Sequence, residues 1–147
     1  MPWCASGGIE MKANIYLEAD SKAPRRQKRH YGYVLECVCK GETRTVEQFD
    51  SIDETFHGTM VTALEKALIR FNKPCEITVH APDAWLLDML ENQLEKWASG
   101  NFLNNRGKPI SYQKQWMHIW LLAEQHTVYG QRGPHTYSEW MKERMKC

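Results

Sequence analysis

The chain has 147 residues, of which 42% are hydrophobic and 25% are charged, and its formal net charge is +1. This length suits one domain with a single core, and the composition is typical of a folded protein rather than a disordered one. No apolar run approaches the roughly 18–20 residues of a membrane span, and the N-terminus lacks the apolar segment of a secretory signal. We therefore expect a flexible leader over residues 1–12 and a single domain over residues 13–147.

The cysteines indicate the cellular compartment. They are odd in number and two of them lie near the chain ends: Cys4, Cys37, Cys39, Cys75 and Cys147. Without an export signal, cysteines of this kind are expected to be reduced thiols. The sequence therefore predicts a cytoplasmic protein.

The first half of the chain has the pattern of three antiparallel strands. Residues 13–20 alternate in the period of a half-buried strand, with one face formed by Ile15, Leu17 and Ala19 and the other by Tyr16, Glu18 and Asp20. Residues 31–39 are rich in aromatic and β-branched side chains, and residues 43–49 follow a turn at Gly41. This order predicts a meander.

In the second half the period changes to that of helices. One apolar stripe is formed by Met60, Ala63, Leu64, Ala67, Leu68 and Phe71. Residues 75–81 form a short strand, and Asp83 stands where an N-cap would precede a helix over residues 85–97. A polar loop, a helix around Trp116, a strand over 127–129, a break from Gly130 to Pro134 and a last helix over 137–145 follow. This β-β-β-α-β-α-α-β-α order predicts an α/β fold with a mixed sheet flanked by helices.

A basic segment lies between the first two predicted strands. Residues 22–30 read KAPRRQKRH and contain no acid. Such a cluster can face phosphate, and we name Arg25, Arg26 and Lys28 as candidate nucleic-acid contacts. The alternative is an ordinary solvated loop.

An ordered set of residues runs through the second half of the chain. The predicted strand and helix of residues 72–97 lead to Trp97, Phe102, Lys108-Pro109, Trp116 and His126. This order and spacing resemble bacterial ribonuclease H, in which a tryptophan-rich basic loop runs through a Lys-Pro pair into a helix and a histidine precedes the last strand. The resemblance covers roughly residues 13–128 and implies a ribonuclease H-like fold. Its five-stranded mixed sheet would contain three antiparallel meander strands and two parallel strands.

The resemblance also implies a set of catalytic positions. Ribonuclease H hydrolyses the RNA strand of an RNA/DNA hybrid with two Mg²⁺ ions that carboxylates hold about 4 Å apart. The first carboxylate position falls on Glu18, with Asp20 beside it on the same face, and the second falls on Met60. The third falls on Pro82, next to Asp83, and the fourth lies in the last helix, where the candidates are Glu139 and Glu143; His135 lies near the mobile catalytic-loop histidine of the family.

Substitutions at these positions bear on catalysis. Mg²⁺ requires oxygen ligands, which neither Met60 nor Pro82 supplies. The remaining candidate metal ligands are Glu18 and Asp83, and Asp83 has the alternative role of a helix N-cap. We therefore expect a degenerate active site, with Mg²⁺ or Mn²⁺ as cofactor only if the enzyme is active.

The sequence matches the nucleic-acid-binding surface of the family better than it matches the catalytic carboxylates. Cations and aromatic residues stand in the segment that corresponds to the hybrid-gripping loop: Lys96, Trp97, Phe102, Arg106 and Lys108. Cations would neutralise phosphates and aromatic faces would pack on sugars or bases. Alternatively, Trp97 and Phe102 anchor the loop onto the helices.

Three functions follow from the sequence. The first is a non-catalytic nucleic-acid-binding protein that grips an RNA/DNA hybrid or duplex. The second is an active metal-dependent ribonuclease H, which requires Glu18, Asp83 and an acid of the last helix to converge. The third is a protein-interaction module on the same scaffold.

Overall fold

The computed structural model describes residues 11–39 and 41–146. Its five strands form one sheet in the order β3-β2-β1-β4-β5, with β1 antiparallel to β2 and parallel to β4. The β2–β3 pair is antiparallel and the β4–β5 pair is parallel, so the predicted mixed sheet is confirmed. The strands are β1 (Met11–Ala19), β2 (Gln27–Cys39), β3 (Glu42–Glu54), β4 (Cys75–Ala81) and β5 (Thr127–Arg132).

Helices flank this sheet in the predicted order. They are α1 (Phe56–Ile69), α2 (Ala84–Asp88), α3 (Leu94–Ser99), α4 (Gln113–Ala123) and α5 (Ser138–Arg144), with a π-helical turn (Met89–Gln93) between α2 and α3. The helix predicted over 85–97 is therefore interrupted, because the backbone N–H of Leu94 bonds the carbonyl of Met89. The extra residue in this turn keeps Leu90 and Leu94 buried on the core side.

The main core lies between the sheet and α1 to α4. The apolar stripe predicted for α1 is confirmed, since all six of its residues are buried: Met60, Ala63, Leu64, Ala67, Leu68 and Phe71. Ile15, Leu17 and Ile77 meet this stripe from the sheet, and Trp116 and Ile119 of α4 are fully buried against it. Burial of this apolar surface is the main source of stability.

The opposite face of the sheet is covered by α5. Tyr16 and Val34 pack there against Met141 and Met145 in a second, smaller cluster. The prediction of a half-buried β1 is therefore wrong: residues 15–19 are all buried, because helices cover both faces of this central strand.

Several boundaries differ from the sequence prediction. β1 begins at Met11, and the rest of the predicted leader, residues 1–10, lies outside the described residues. β2 begins at Gln27, so part of the basic segment is strand rather than loop. β5 continues through Gly130, which allows the Glu91 and Leu87 side chains to approach the strand closely, and the chain turns at Gly133 (φ 109°).

The structure bears on the predicted state of the cysteines and on the predicted absence of a membrane span. Cys37 is disulfide-bonded, so the expectation of reduced thiols is wrong for this residue, whereas Cys75 is a buried thiol that is not in a disulfide and donates to the Lys73 carbonyl. Cys4 and Cys147 lie outside the described residues. Among the described residues, no helix has the length and apolar character needed to span a membrane.

Candidate functional site

Glu18 is a buried carboxylate near the end of β1. It is 1% exposed, and its Oε1 atom has no hydrogen-bond partner. Its Oε2 atom lies 3.6 Å from Nε2 of His135, which is 3.0 Å from the Leu17 carbonyl. Since Nδ1 of His135 accepts a hydrogen bond from the backbone N–H of Tyr137, the ring carries its proton on Nε2 and donates to Leu17. The backbone therefore fixes the His135 ring beside Glu18.

A polar network lies on the same face of the sheet as Glu18. The Glu36 carboxylate accepts hydrogen bonds from Asn14, from the Tyr16 hydroxyl at 3.3 Å and from the Tyr137 hydroxyl at 3.0 Å. His80 donates through Nε2 to Asn14 at 2.8 Å and stacks on Tyr16, with ring centroids 4.5 Å apart. The sequence pattern did not predict this network, because only the pairing of β1 with β2 and β4 brings these side chains together.

Burial in this network shifts two pKa values. Burial, followed by the charge of Glu36, raises the pKa of Tyr16 to about 12. Burial and the neighbouring His135 lower the pKa of His80 below its usual value. The neutral forms of both side chains are therefore favoured in the folded protein.

Asp83 caps α2 at the end of β4. The side chain is 3% exposed, and its Oδ1 atom accepts hydrogen bonds from the backbone N–H groups of Trp85 and Leu86. The N-cap role predicted as an alternative is thereby confirmed. Its Oδ2 atom lies 2.7 Å from Nδ1 of His57, a partner for Asp83 that the sequence did not predict. Both carboxylate oxygens thus already have partners.

The other predicted carboxylate positions lie in different environments. Met60 is fully buried in the core, and Pro82 is half-buried beside Asp83. Asp20, Glu139 and Glu143 are exposed, and Glu143 pairs with Lys146. Within residues 11–39 and 41–146, no three His, Cys, Asp or Glu side chains form a group that could hold a metal ion.

Three candidate cations are exposed around the start of β2. Arg25 Nε donates to the Gln27 side chain, and Arg26 donates to the Asp53 carbonyl at 2.8 Å and to the Glu54 carboxylate at 3.2 Å. Lys28 is exposed, and its ammonium group has no hydrogen bond or ion pair within the described part of the chain. These side chains are therefore presented to solvent at the end of the sheet where β1 and β3 also end.

Arg29 organises this basic segment from inside the protein. It is 1% exposed, and its guanidinium donates to four backbone carbonyls, those of Ser21, Ala23, Arg25 and Glu54, at 2.6–3.0 Å. The side chain thereby joins the loop to the end of β3. Its planar set of donors suits such a role.

The predicted hybrid-gripping loop is an ordered hairpin over residues 100–112. Leu103 and Pro109 form an antiparallel bridge, and the Asn104 side chain accepts hydrogen bonds from the backbone N–H groups of Arg106 and Lys108. Gly107 occupies the left-handed region (φ 74°) that this tight turn requires. The turn holds the two cations at the exposed tip of the hairpin.

The aromatic candidates, Phe102 of the hairpin and Trp97 of the preceding helix α3, face the protein. Phe102 is 6% exposed and lies in the main core, so its ring is not available to stack on a base. Trp97 is half-buried, with its ring 5.5 Å from that of Trp116. Lys96 is exposed on α3 beside Trp97. The cations of the hairpin, Arg106 and Lys108, are therefore exposed to solvent, while Phe102 holds the hairpin against the core.

Side chains at the start of α1 contact both the basic segment and the base of the hairpin. Arg26 contacts Glu54, and the next residue, Thr55, caps α1 by accepting a hydrogen bond from the Gly58 N–H. The Thr55 hydroxyl also lies 2.7 Å from the hydroxyl of Tyr112, at the base of the hairpin. These contacts connect the basic segment, through the start of α1, to the base of the hairpin.

Comparison with solved structures identifies the fold. LC9-RNase H1, a type 1 RNase H with the type 2 active-site motif, matches with a TM-score of 0.68 and 14% identity, over 95% of this chain and 71% of that one. The PFV RNase H domain matches with a TM-score of 0.61 and 16% identity over 95% and 94%. A foamy viral protease-reverse transcriptase in complex with an RNA/DNA hybrid matches with a TM-score of 0.61 and 15% identity, over 92% of this chain and 19% of that one. The fold is that of ribonuclease H.

Sequence comparison agrees with this assignment. Ribonuclease H from Gluconobacter oxydans is 24% identical over 124 residues, which cover 84% of this chain and 79% of that enzyme. Ribonuclease H from Thermoanaerobacter sp. (strain X514) is 21% identical over 98 residues, 66% of this chain and 63% of that enzyme, just under two thirds of its length. No family model matches the chain. The chain is therefore similar to ribonuclease H in both sequence and fold.

Proposed function

We propose that this protein binds an RNA/DNA hybrid or a nucleic-acid duplex through the exposed cations of its basic segment and hairpin, which together form its cationic surface, and does not carry out two-metal hydrolysis. The observation that supports this best is the contrast in exposure at one end of the sheet. Arg25, Arg26 and Lys28 are exposed there, whereas Met60 is fully buried where the second carboxylate is expected. Fold neighbours include a reverse transcriptase in complex with an RNA/DNA hybrid and one in complex with double-stranded DNA.

The residues present do not fit a two-metal site. Such a site needs several carboxylates with free oxygens around both ions. Asp83 uses both oxygens within the protein, and Met60 and Pro82 supply none. Of the first three expected carboxylate positions, Glu18 alone carries a carboxylate. We therefore assign no catalytic step to this end of the sheet.

The alternative is an active Mg²⁺-dependent ribonuclease H. One observation favours it: Oε1 of Glu18 is buried without a hydrogen-bond partner, which is unusual for a polar atom that serves only the fold. A metal ion at Glu18 would still require acids from the exposed Asp20, Glu139 or Glu143. A Mg²⁺ titration combined with a cleavage assay of the parent protein and Glu18→Gln separates the two functions.

Binding is tested with a labelled RNA/DNA hybrid over a range of salt concentrations. We expect affinity to fall steeply with salt, and the slope of log affinity against log salt to decrease by about 0.9 for each phosphate contact removed. The test variant carries Arg26→Gln, Lys28→Gln and Lys108→Gln. The control carries Lys12→Gln, Arg44→Gln and Lys73→Gln, which changes the net charge equally at the opposite end of the sheet. Equal slopes in the two variants, or binding that salt does not weaken, would contradict the proposal.

A further inference from the structure

A groove lies on the side of the molecule formed by α3, α4 and β5. It has a volume of about 400 Å³, within the range of sites that accept small ligands or peptide side chains. Apolar side chains line it from three elements: Leu90 from the π-helical turn, Leu94 from α3, and Trp120 from α4, with Val128 of β5 at its side. Trp120 and Val128 are half-buried, so the groove presents apolar surface to solvent.

The groove also has an acidic rim. Glu91, Glu95 and Glu124 line it, and all three are exposed. No ion pair joins these carboxylates to a cation within the described residues. Three unpaired negative charges around apolar surface disfavour nucleic acid, since they would repel phosphate, and favour a cationic partner.

Local backbone features place the rim against the sheet. Glu91 belongs to the π-helical turn, a rare geometry that is frequent at functional sites. A Cβ atom at Gly130 of β5 would lie 2.8 Å from Oε1 of Glu91, so the glycine permits this carboxylate to lie close over the strand. β5 is also an edge strand, which leaves the border of the sheet beside the groove open.

We propose that this acid-rimmed groove docks a cationic segment of a partner protein, whose apolar side chains enter between α3 and α4. Apolar contact supplies the affinity, and the three carboxylates select for Lys or Arg beside the apolar anchors. The groove lies near the start of β5, away from the ends of β1 and β4 where Arg25, Arg26 and Lys28 are found. The protein can therefore hold nucleic acid on its basic segment and this partner in the groove simultaneously.

The test uses two dye-labelled synthetic peptides with leucines spaced for one helical face, one with lysines and one with glutamates at all other positions. Fluorescence anisotropy measures their binding to the full chain. We expect the lysine peptide to bind and the glutamate peptide not to bind. Combined Glu91→Gln, Glu95→Gln and Glu124→Gln substitutions should weaken the lysine peptide about tenfold, because each exposed ion pair adds a modest amount.

Two further variants test whether the peptide binds in the groove rather than through net charge alone. A control with Glu42→Gln, Glu139→Gln and Glu143→Gln makes the same change in net charge on exposed residues outside the groove and should leave peptide affinity unchanged. Ala123→Phe adds bulk to the groove wall without removing a core side chain and should abolish binding. Equal affinity in the rim and control variants, binding of both peptides alike, or a chain that forms a dimer dissolved by the rim substitutions would overturn the proposal.

Discussion

The carboxylate positions and the cationic loops lie near one end of the same sheet but have opposite environments. Glu18, Met60 and Asp83 are each no more than 3% exposed, and Asp83 is held by hydrogen bonds to protein groups. The cations of the basic segment and the hairpin extend into solvent, while Arg29 and Phe102 hold these segments from inside. The difference separates two properties that one fold can carry independently: an electropositive surface and a metal-binding cluster.

The largest expected effect comes from restoring a carboxylate in the core. Met60→Glu should lower the free energy of unfolding by roughly 3–5 kcal/mol, because a charge without a partner would be buried among apolar side chains. Met60→Leu, a change of shape alone, should cost less than about 1.5 kcal/mol. Denaturant unfolding measures both. A stable Met60→Glu protein that binds Mg²⁺ would mean that the metal site is intact except for this residue.

The conformation of the basic segment depends on the buried side chain of Arg29. Arg29→Met should lower the free energy of unfolding by roughly 3 kcal/mol, because four backbone carbonyls lose a charged donor. Arg25→Met, at an exposed position in the same segment, should stay within about 0.5 kcal/mol of the parent. Urea denaturation distinguishes them. Equal stability of the two variants would show that the buried guanidinium does not organise the segment.

A smaller effect is expected at the tip of the hairpin. Arg106→Gln should weaken hybrid binding several-fold and reduce the salt slope by about 0.9, with unchanged stability, because the side chain is exposed. Lys142→Gln, on α5, serves as the control. Filter binding at several salt concentrations gives the slope. A loss of stability without a change in slope would place Arg106 among the residues that support the loop.

The smallest expected effect is a pH dependence in the network beside Glu18. The pKa of His80 is lowered in the folded protein, so the unfolded chain binds more protons as the pH falls below the usual value of 6.5. Stability should therefore decrease with falling pH from 6.5 down to the lowered pKa, and remain lower below it. His80→Gln should remove this part of the decrease when both proteins are unfolded across that range. If the stability of the parent protein and of His80→Gln varied identically with pH, His80 would not be the group responsible for the decrease.

The sequence predicted the fold more fully than the site. Strand alternation and the α1 stripe were sufficient to give the element order, because local patterns reflect which face is buried. Asp83 was recognised as a cap from its position before a helix. The partners of these residues were not recognisable: His57 is 26 positions from Asp83, and Tyr137 is 101 positions from Glu36. Arg29 looked like its exposed neighbours, because only the loop backbone around it creates its binding pocket.

The central claim, a scaffold that binds nucleic acid without metal-dependent cleavage, is tested most directly by one titration. Mg²⁺ and Mn²⁺ are titrated into the protein by calorimetry, and the same sample is assayed on a labelled RNA/DNA hybrid beside Glu18→Gln. We predict no metal binding and no cleavage, with the hybrid retained at low salt by both proteins. Metal binding and cleavage that both disappear in Glu18→Gln would contradict the account and establish an active site rebuilt around Glu18.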